Sequence, residues 1–288
     1  MRIAIAIATV GRPALVAATV RRLARQTRPP DRLLVVAADP HDLPPEGLAP
    51  PAQAAFAPRG SCAQRNAAIA RLAGDADILV FLDDDFFPAA DFLEGVARLF
   101  DDATIVAASG ALLADGAMGP GVAPQEADAL IARYEQTPRP PLVLTDDTGT
   151  YGCNMVVRLA AAPQARFDEN LPLYGWLEDT DYSAQFERVG RVVRTNAFAG
   201  VHLGAKTGRS SGVRLGYSQI ANPLYLVRKG VLDPRRAWAM ASRNMLANLV
   251  KSAAPEAWID RRGRLKGNAL ALLDIARGAS DPRRVLDL

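Results

Sequence analysis

Residues 78–88 read ILVFLDDDFFP, and this stretch decides how the rest of the chain is understood. Ile78, Leu79, Val80, Phe81 and Leu82 form a continuous apolar run, the pattern of a strand buried on both faces of a sheet. The run ends in three successive carboxylates, Asp83, Asp84 and Asp85. Like charges this close at the rim of an apolar core repel and raise one another's pKa. Two physical readings are open. A divalent cation relieves the repulsion, because hard cations take carboxylate oxygens and share them with phosphates. Alternatively, the carboxylates cap a helix expected over residues 88–100.

Outward from this stretch the chain alternates strands and helices. Residues 2–8 (RIAIAIA) read as a strand, 9–13 as a turn, and Leu15, Val16, Thr19, Val20 and Leu23 as the apolar stripe of a helix entered at Pro13. Residues 31–38 predict a second strand, 39–58 a proline-rich irregular connection, 60–73 a helix with Ser61 as N-cap, and 104–109 a fourth strand. This rhythm predicts a largely parallel sheet with helices on its faces. Ligands of such sheets sit beyond the carboxyl ends of the strands, where Thr9, Arg12, Asp39 and the acidic cluster all fall.

The second half is less regular. Residues 115–124 predict a loop, 125–136 a helix and 150–157 a strand. A helix is expected from about residue 178 to 189, with short strands over 191–195 and 199–202. The basic, glycine- and serine-rich segment 206–216 is expected to be mobile. Helices dominate from Tyr217, with breaks near 230–234, at Pro255 and around 263–267.

Composition bounds the class. With 288 residues, 49% hydrophobic and 23% charged, the chain is that of a globular protein with a sizeable core. Its apolar runs are far short of the ~18–20 residues that span a bilayer, and MRIAIAIATVGRP is read as a first strand rather than a leader. Cys62 and Cys153 have no metal-ligand spacing and read as reduced thiols of a cytoplasmic protein. The net charge of +3 hides an asymmetry. Residues 205–288 carry 16 Lys and Arg against 6 Asp and Glu, a balance of +10 against −7 for the rest. A basic tail suits an anionic partner or a solvated helix face.

The ordered set ATVGRP, the GxxxxRN of residues 60–66, VFLDDD, YGCNM, and GWLEDTDYSAQFERVG followed by a lone histidine resembles glycosyltransferase family 2, over roughly residues 2–205. The resemblance implies an inverting enzyme of the GT-A fold: an α/β, Rossmann-like, mostly parallel sheet flanked by helices, followed by a helical C-terminal region. It divides the chain into a catalytic domain over 1–204, with a nucleotide-binding half (1–110) and an acceptor-binding half (111–204), and an extension over 205–288. It implies Mn2+ or Mg2+ held by Asp85 and His202, with Asp83 and Asp84 facing the ribose or sugar. Asp179 of the ED pair would be the general base, and Glu178 would position a hydroxyl, since neighbouring residues on a helix point about 100° apart. Thr9, Arg12, Asp39 and Arg65 would contact the nucleotide. Lys206 and Arg209 would close over the diphosphate, and Tyr174 and Trp176 would stack on a sugar. The acidic residue that usually follows the second strand directly is displaced here, since the chain reads VVAADPHD. The expected partners are a UDP-, GDP- or dTDP-linked sugar and a hydroxyl acceptor on a glycan, a lipid or a small molecule, with no nucleic acid.

Bland readings stand beside these. Acidic residues in the first turn of a helix suit its dipole, so Glu178 and Asp179 need no catalytic role on that ground alone. A lone histidine after an apolar strand is often structural. A phosphatase using Asp83 and Asp85 is the rival enzyme, although Phe87 stands where its Thr or Val is expected. A non-catalytic nucleotide-sugar-binding protein is the other alternative. The C-terminal helices carry Trp238, Met245, Leu246, Leu249, Val250 and Trp258 among basic residues. These are expected to pack against the catalytic domain or a second subunit of a homo-oligomer, with peripheral docking on the anionic inner face of a membrane as the alternative.

Overall fold

The computed structural model describes residues 1–207 and 211–288. The elements run β1 (Ile3–Thr9), α1 (Pro13–Leu23), β2 (Arg32–Ala37), β3 (Ala52–Phe56), α2 (Ser61–Leu72), β4 (Ile78–Asp83), β5 (Phe86–Pro88), α3 (Phe92–Leu99) and β6 (Ile105–Asp115). They continue α4 (Pro124–Gln136), β7 (Leu144–Asp146), β8 (Asn154–Arg158), α5 (Glu178–Ser183), β9 (Arg191–His202), α6 (Gly212–Arg228), α7 (Pro234–Lys251) and α8 (Arg261–Ala276).

One sheet organises the strands in the order β3-β2-β1-β4-β8-β6-β9-β5, with β7 on β9. The run β3-β2-β1-β4 is parallel throughout, the Rossmann-like half the strand–helix alternation predicts. β8 enters antiparallel between β4 and β6, while β6 and β9 pair parallel. The continuous apolar runs have the predicted cause: Ile3, Ile5, Ile7, Ile78, Val80 and Leu82 are buried in the core on one face, and Ala4, Ala6, Leu79 and Phe81 are buried on the other.

Register assembles the rim. β4 ends at Asp83, level with Ala8 near the end of β1. The chain turns at Asp84 and Asp85 and returns as β5, antiparallel to β9, with Phe86 opposite His202. β6 runs parallel to β9 and sets Asp115 level with the same histidine. Three strand ends far apart in sequence thus meet at one edge.

Several local expectations change. α3 begins at Phe92, not at residue 88, because residues 86–88 pair with β9 instead; its N-cap is Asp91, so the acidic cluster does not cap it. The connection 39–58 contains β3, whose parallel ladder to β2 supplies the order its prolines and exposed face hide. β6 continues to Asp115, and residues 191–202 form one strand, carried by bulged pairing between the two. α5 stops at Ser183; beyond it Gln185 and Phe186 close tighter turns onto Tyr182 and Ser183 as Phe186 enters the core. α6 starts at Gly212, earlier than Tyr217, with Ser211 as N-cap accepting from the Arg214 N–H. The predicted mobile segment includes residues 208–210, which lie outside the described residues, as does Arg209.

The chain folds into two compact units: Met1–Arg59, Ala63–Phe167 and Tyr182–Gly208 form one, and Gly60–Cys62, Asp168–Asp181 and Arg209–Leu288 the other. The first holds the whole sheet. In the second, α8 runs unbroken through residues 263–267. Gly216 and Gly267 explain why: a Cβ on Gly216 would lie 2.1 Å from the Arg264 carbonyl oxygen, and one on Gly267 2.1 Å from that of Val213. The glycines are the contact surface of α6 on α8 and do not act as breakers.

Candidate active site

The acidic cluster separates into two environments. Asp84 turns inward and is buried; it accepts hydrogen bonds from the Thr9 hydroxyl (2.7 Å) and Arg12 Nη1 (2.8 Å). Burial pushes its carboxyl up, to about 7, against the pull of the Arg12 guanidinium. The Thr19 hydroxyl donates to the Asp84 carbonyl at 2.8 Å, so the turn is held by its backbone as well. Thr9 and Arg12 thus hold Asp84, while Arg12 Nη1 also stands 3.5 Å from Asp85 Oδ2 and its Nε reaches the Thr207 carbonyl at 2.7 Å.

Asp83 and Asp85 meet His202. A ring nitrogen and one oxygen of each carboxylate lie within 4.8 Å of one another, the only such group among the described residues that could hold a metal ion. His202 Nε2 stands 3.5 Å from Asp85 and 3.8 Å from Asp83. Its Nδ1 lies 2.8 Å from Asp115 Oδ1, and Asp115 Oδ2 accepts from the Tyr151 hydroxyl at 3.1 Å. Asp115 thereby orients the imidazole and aims Nε2 at the two carboxylates. Burial opposes a charge on His202, but Asp115 and Asp85 outweigh it and push the imidazole up to about 10. Burial alone would also raise Asp85; the hydrogen bond and charge of His202 hold it below the usual carboxylate range.

This donor set fits a divalent cation. Two carboxylates suit Mg2+ or Mn2+, and the imidazole favours the transition metal of the two. The expected pair Asp85 and His202 is joined by Asp83, which Arg65 Nη2 holds at 3.1 Å while also reaching the Gly152 carbonyl at 3.1 Å. Arg65 is buried at this rim. Lys206 donates to the Gly116 and Ala117 carbonyls, and the neighbouring Ala205 N–H donates to Asp85 Oδ2 at 2.7 Å.

Asp39 is exposed and pairs with His41. The carboxylate that reaches the first turn is Asp42, buried, accepting the Gly11 N–H at 2.6 Å and those of Ala38 and Asp39 at 3.1 and 2.9 Å. Asp42 and Asp115 are the residues that reading the sequence missed. HD after VVAADP was the only signal for the first; nothing local marks the second, 87 residues from its histidine.

The ED pair lies in the other unit, at the start of α5. Glu178 is buried and Asp179 half-buried, with Asp179 Oδ1 accepting the Thr180 N–H at 2.8 Å. The approach is strained: Leu173 (φ 60) and Leu177 (φ 74) adopt the left-handed conformation that side chains disfavour. Asn222 Nδ2 donates to the Trp176 carbonyl at 2.7 Å, and Lys229 bridges Asp168 and Asp181, so α6 holds this segment in place. Tyr174 is exposed, and Trp176 is half-buried.

A parallel α/β half, an acidic strand end and a histidine carried to it from a distant strand define a class: GT-A glycosyltransferases. The family model for glycosyl transferase family 2 matches residues 4–162, more than half the chain, and the chain belongs to that family. A comparison with curated proteins gives no match. Among solved structures, the chain is similar to the mannosyltransferase PcManGT of Pyrobaculum calidifontis, in complex with GDP-Man and Mn2+ (16% identity, 99% of this chain and 84% of that one, TM-score 0.55). It is also similar to GalNAc-T7 with UDP, GalNAc and Mn2+ (13%, 99% and 56%, 0.54). S. aureus TarS 1-349 with UDP-GlcNAc is a third (13%, 100% and 91%, 0.53). At these identities the likeness concerns the fold.

Proposed function

We propose that the chain transfers a sugar from a nucleotide-diphospho-sugar to a hydroxyl acceptor with inversion at the anomeric carbon. The observation that carries this reading is the convergence of Asp83, Asp85 and His202 at the carboxyl end of β4 in a family 2 chain. The three side chains would hold Mn2+ or Mg2+. When bound, the ion supplies positive charge to the diphosphate leaving group. The relatives' complexes with GDP-Man, UDP and UDP-GlcNAc support a nucleotide-sugar donor. Residues 1–110 would bind the nucleotide, 111–204 would contribute the acceptor side, and 205–288 form an extension.

In this reading the chain's own groups divide the labour. Arg12 and Thr9 keep Asp84 folded inward, Arg65 steadies Asp83, and Asp115 steadies His202. Asp179 accepts the proton of the acceptor hydroxyl as its oxygen bonds to the anomeric carbon. The bond to the diphosphate breaks on the opposite face, and the nucleoside diphosphate departs with the electron pair. Base catalysis of this kind contributes about 10²- to 10⁴-fold. Glu178 orients a hydroxyl, and Tyr174 and Trp176 offer stacking surfaces for a sugar ring.

Calorimetric titration of UDP, GDP and dTDP, each with and without Mn2+, into wild type and Asp85→Ala tests the donor site. One nucleotide should bind, only with the ion, and only to wild type; no binding under any condition removes the reading's support. With the donor base known, Asp179→Asn should lower kcat by about 10²- to 10⁴-fold while leaving nucleotide affinity intact.

A further inference from the structure

Helix α7 has two opposed faces. Ala237, Ala241 and Asn248 are buried, and Asn248 Nδ2 donates to Gln219 and Asn268, both at 2.9 Å, tying the helix to α6 and α8. On the opposite side, Trp238 is 49% exposed, Leu246 60%, Leu249 56% and Val250 65%. With ~3.6 residues per turn, these four and Ser242 lie on one stripe. Of the apolar residues of α7 singled out in the sequence, Met245 is partly buried against the α6–α8 core. The fold does not use this stripe.

The charge within α7 itself has one sign, with Asp233 at its N-cap and Glu256, beyond its end, paired with Lys251. α7 contains Arg235, Arg236, Arg243 and Lys251 and no acidic residue, and all four basic side chains are exposed. Arg236 and Arg243, seven residues apart, run along one edge of the stripe, and Arg235 stands one turn before Trp238. No helix among the described residues is long and apolar enough to cross a membrane. An apolar strip of Trp, Leu and Val edged by arginines is the pattern of a helix lying in the plane of a bilayer surface.

We propose that the exposed face of α7 docks the protein on a membrane surface bearing anionic lipid. Leu246, Leu249, Val250 and the Trp238 ring enter the headgroup boundary, and the arginines meet lipid phosphates. Charge decides for lipid over a second copy of this chain. A two-fold contact through α7 would bring two helices of the same positive sign together, and the carboxylates at their ends are already engaged, Asp233 as the N-cap and Glu256 by Lys251 and Arg261. An anionic headgroup layer answers every arginine. The proposal is independent of the donor-site reading, and a chain that binds no nucleotide would still dock.

The test is sedimentation of the full chain with phosphatidylcholine vesicles, with and without phosphatidylglycerol as a third of the lipid, beside sedimentation velocity without lipid. Wild type should bind the anionic vesicles, leave the neutral ones, and dissociate as salt rises. Arg235→Gln/Arg243→Gln should weaken binding by about 5-fold per arginine. Leu246→Ser/Leu249→Ser, both at exposed positions, should weaken it by about tenfold or more at an unchanged circular dichroism spectrum. The proposal fails if wild type ignores anionic vesicles at low salt. It fails equally if the leucine variant binds them as well as wild type does. A concentration-dependent dimer that the leucine variant abolishes, with no vesicle binding, overturns it in favour of a second copy.

Discussion

Two clusters of carboxylates in this protein, each built round one buried aspartate (Asp85 and Asp181), use the same ingredients to opposite ends. At the rim of the sheet, Asp83, Asp85 and Asp115 surround His202, with two of the carboxylates and the ring converging on one point. Among the C-terminal helices, Asp168 and Asp181 both close on Lys229, with Nζ at 2.8 Å from Asp168 and 2.7 Å from Asp181, and the Tyr225 hydroxyl donates to Asp168 at 2.7 Å. In the second cluster the cation is a side chain, and its oxygens point at that side chain. In the first, donor atoms from separate strands face a shared space with more carboxylate than the imidazole can answer. Convergence, and not burial or charge count, separates a site from a clamp.

The comparison breaks most sharply at Asp85. Asp85→Ala should lower transfer activity by about 10²- to 10³-fold. Mn2+ should raise the melting temperature of wild type and leave that of the variant unmoved, since only a folded state that binds the ion is stabilised by it.

The clamp should fail in the opposite sense. Lys229→Met leaves Asp181, 1% exposed, without its cation and should cost about 3 kcal/mol in denaturant unfolding. The Mn2+-induced shift in melting temperature should survive in that variant. If the shift disappears with the lysine, the two clusters are not separate in function.

Asp115→Asn sharpens the first cluster. It keeps the shape but removes the charge that orients His202, and Mn2+ affinity should drop by about 10- to 100-fold, read by calorimetry. An unchanged affinity would reduce Asp115 to a structural partner.

The smallest effect is pH-dependent. Burial alone would raise Asp168, but Lys229 and Tyr225 hold its carboxyl at about 2. A folded-state value below the unfolded one contributes stability above about pH 4, and that stability is lost as pH falls towards 2. Wild type should exceed Asp168→Asn by about 2 kcal/mol at neutral pH, with the gap closing across that acid window in urea melts. A gap that does not change with pH would mean the asparagine is costly for packing and not for charge.

Much of the sheet-bearing unit is legible along the chain, and the exceptions share a cause. β1, β2 and β4 announce themselves because a strand covered on both faces must be apolar at every position. β3 does not, since only one of its five residues is fully buried and its order comes from pairing with β2. Asp39 was the visible carboxylate after β2, yet a short 3₁₀ turn over Pro40–Asp42 exposes it and turns Asp42 inward. Gly267 of α8 reads as a break because close helix packing and a chain break demand the same residue, while Gly263 makes room for the Asp260 cap.

The sequence by itself determined the class of the fold, the acidic end of β4, and the basic sign of the tail. Each is a local property, written in neighbouring residues whose periodicity or charge has one inexpensive solution. Tertiary structure decided which aspartate turns inward to Arg12 and which two face His202. It also chose Asp115 to hold the histidine, and left the apolar stripe of α7 outside. Those outcomes depend on the register of β4, β5, β6 and β9 and on which face of a helix its neighbours cover. Both are settled by contacts between residues tens of positions apart, which no local pattern encodes.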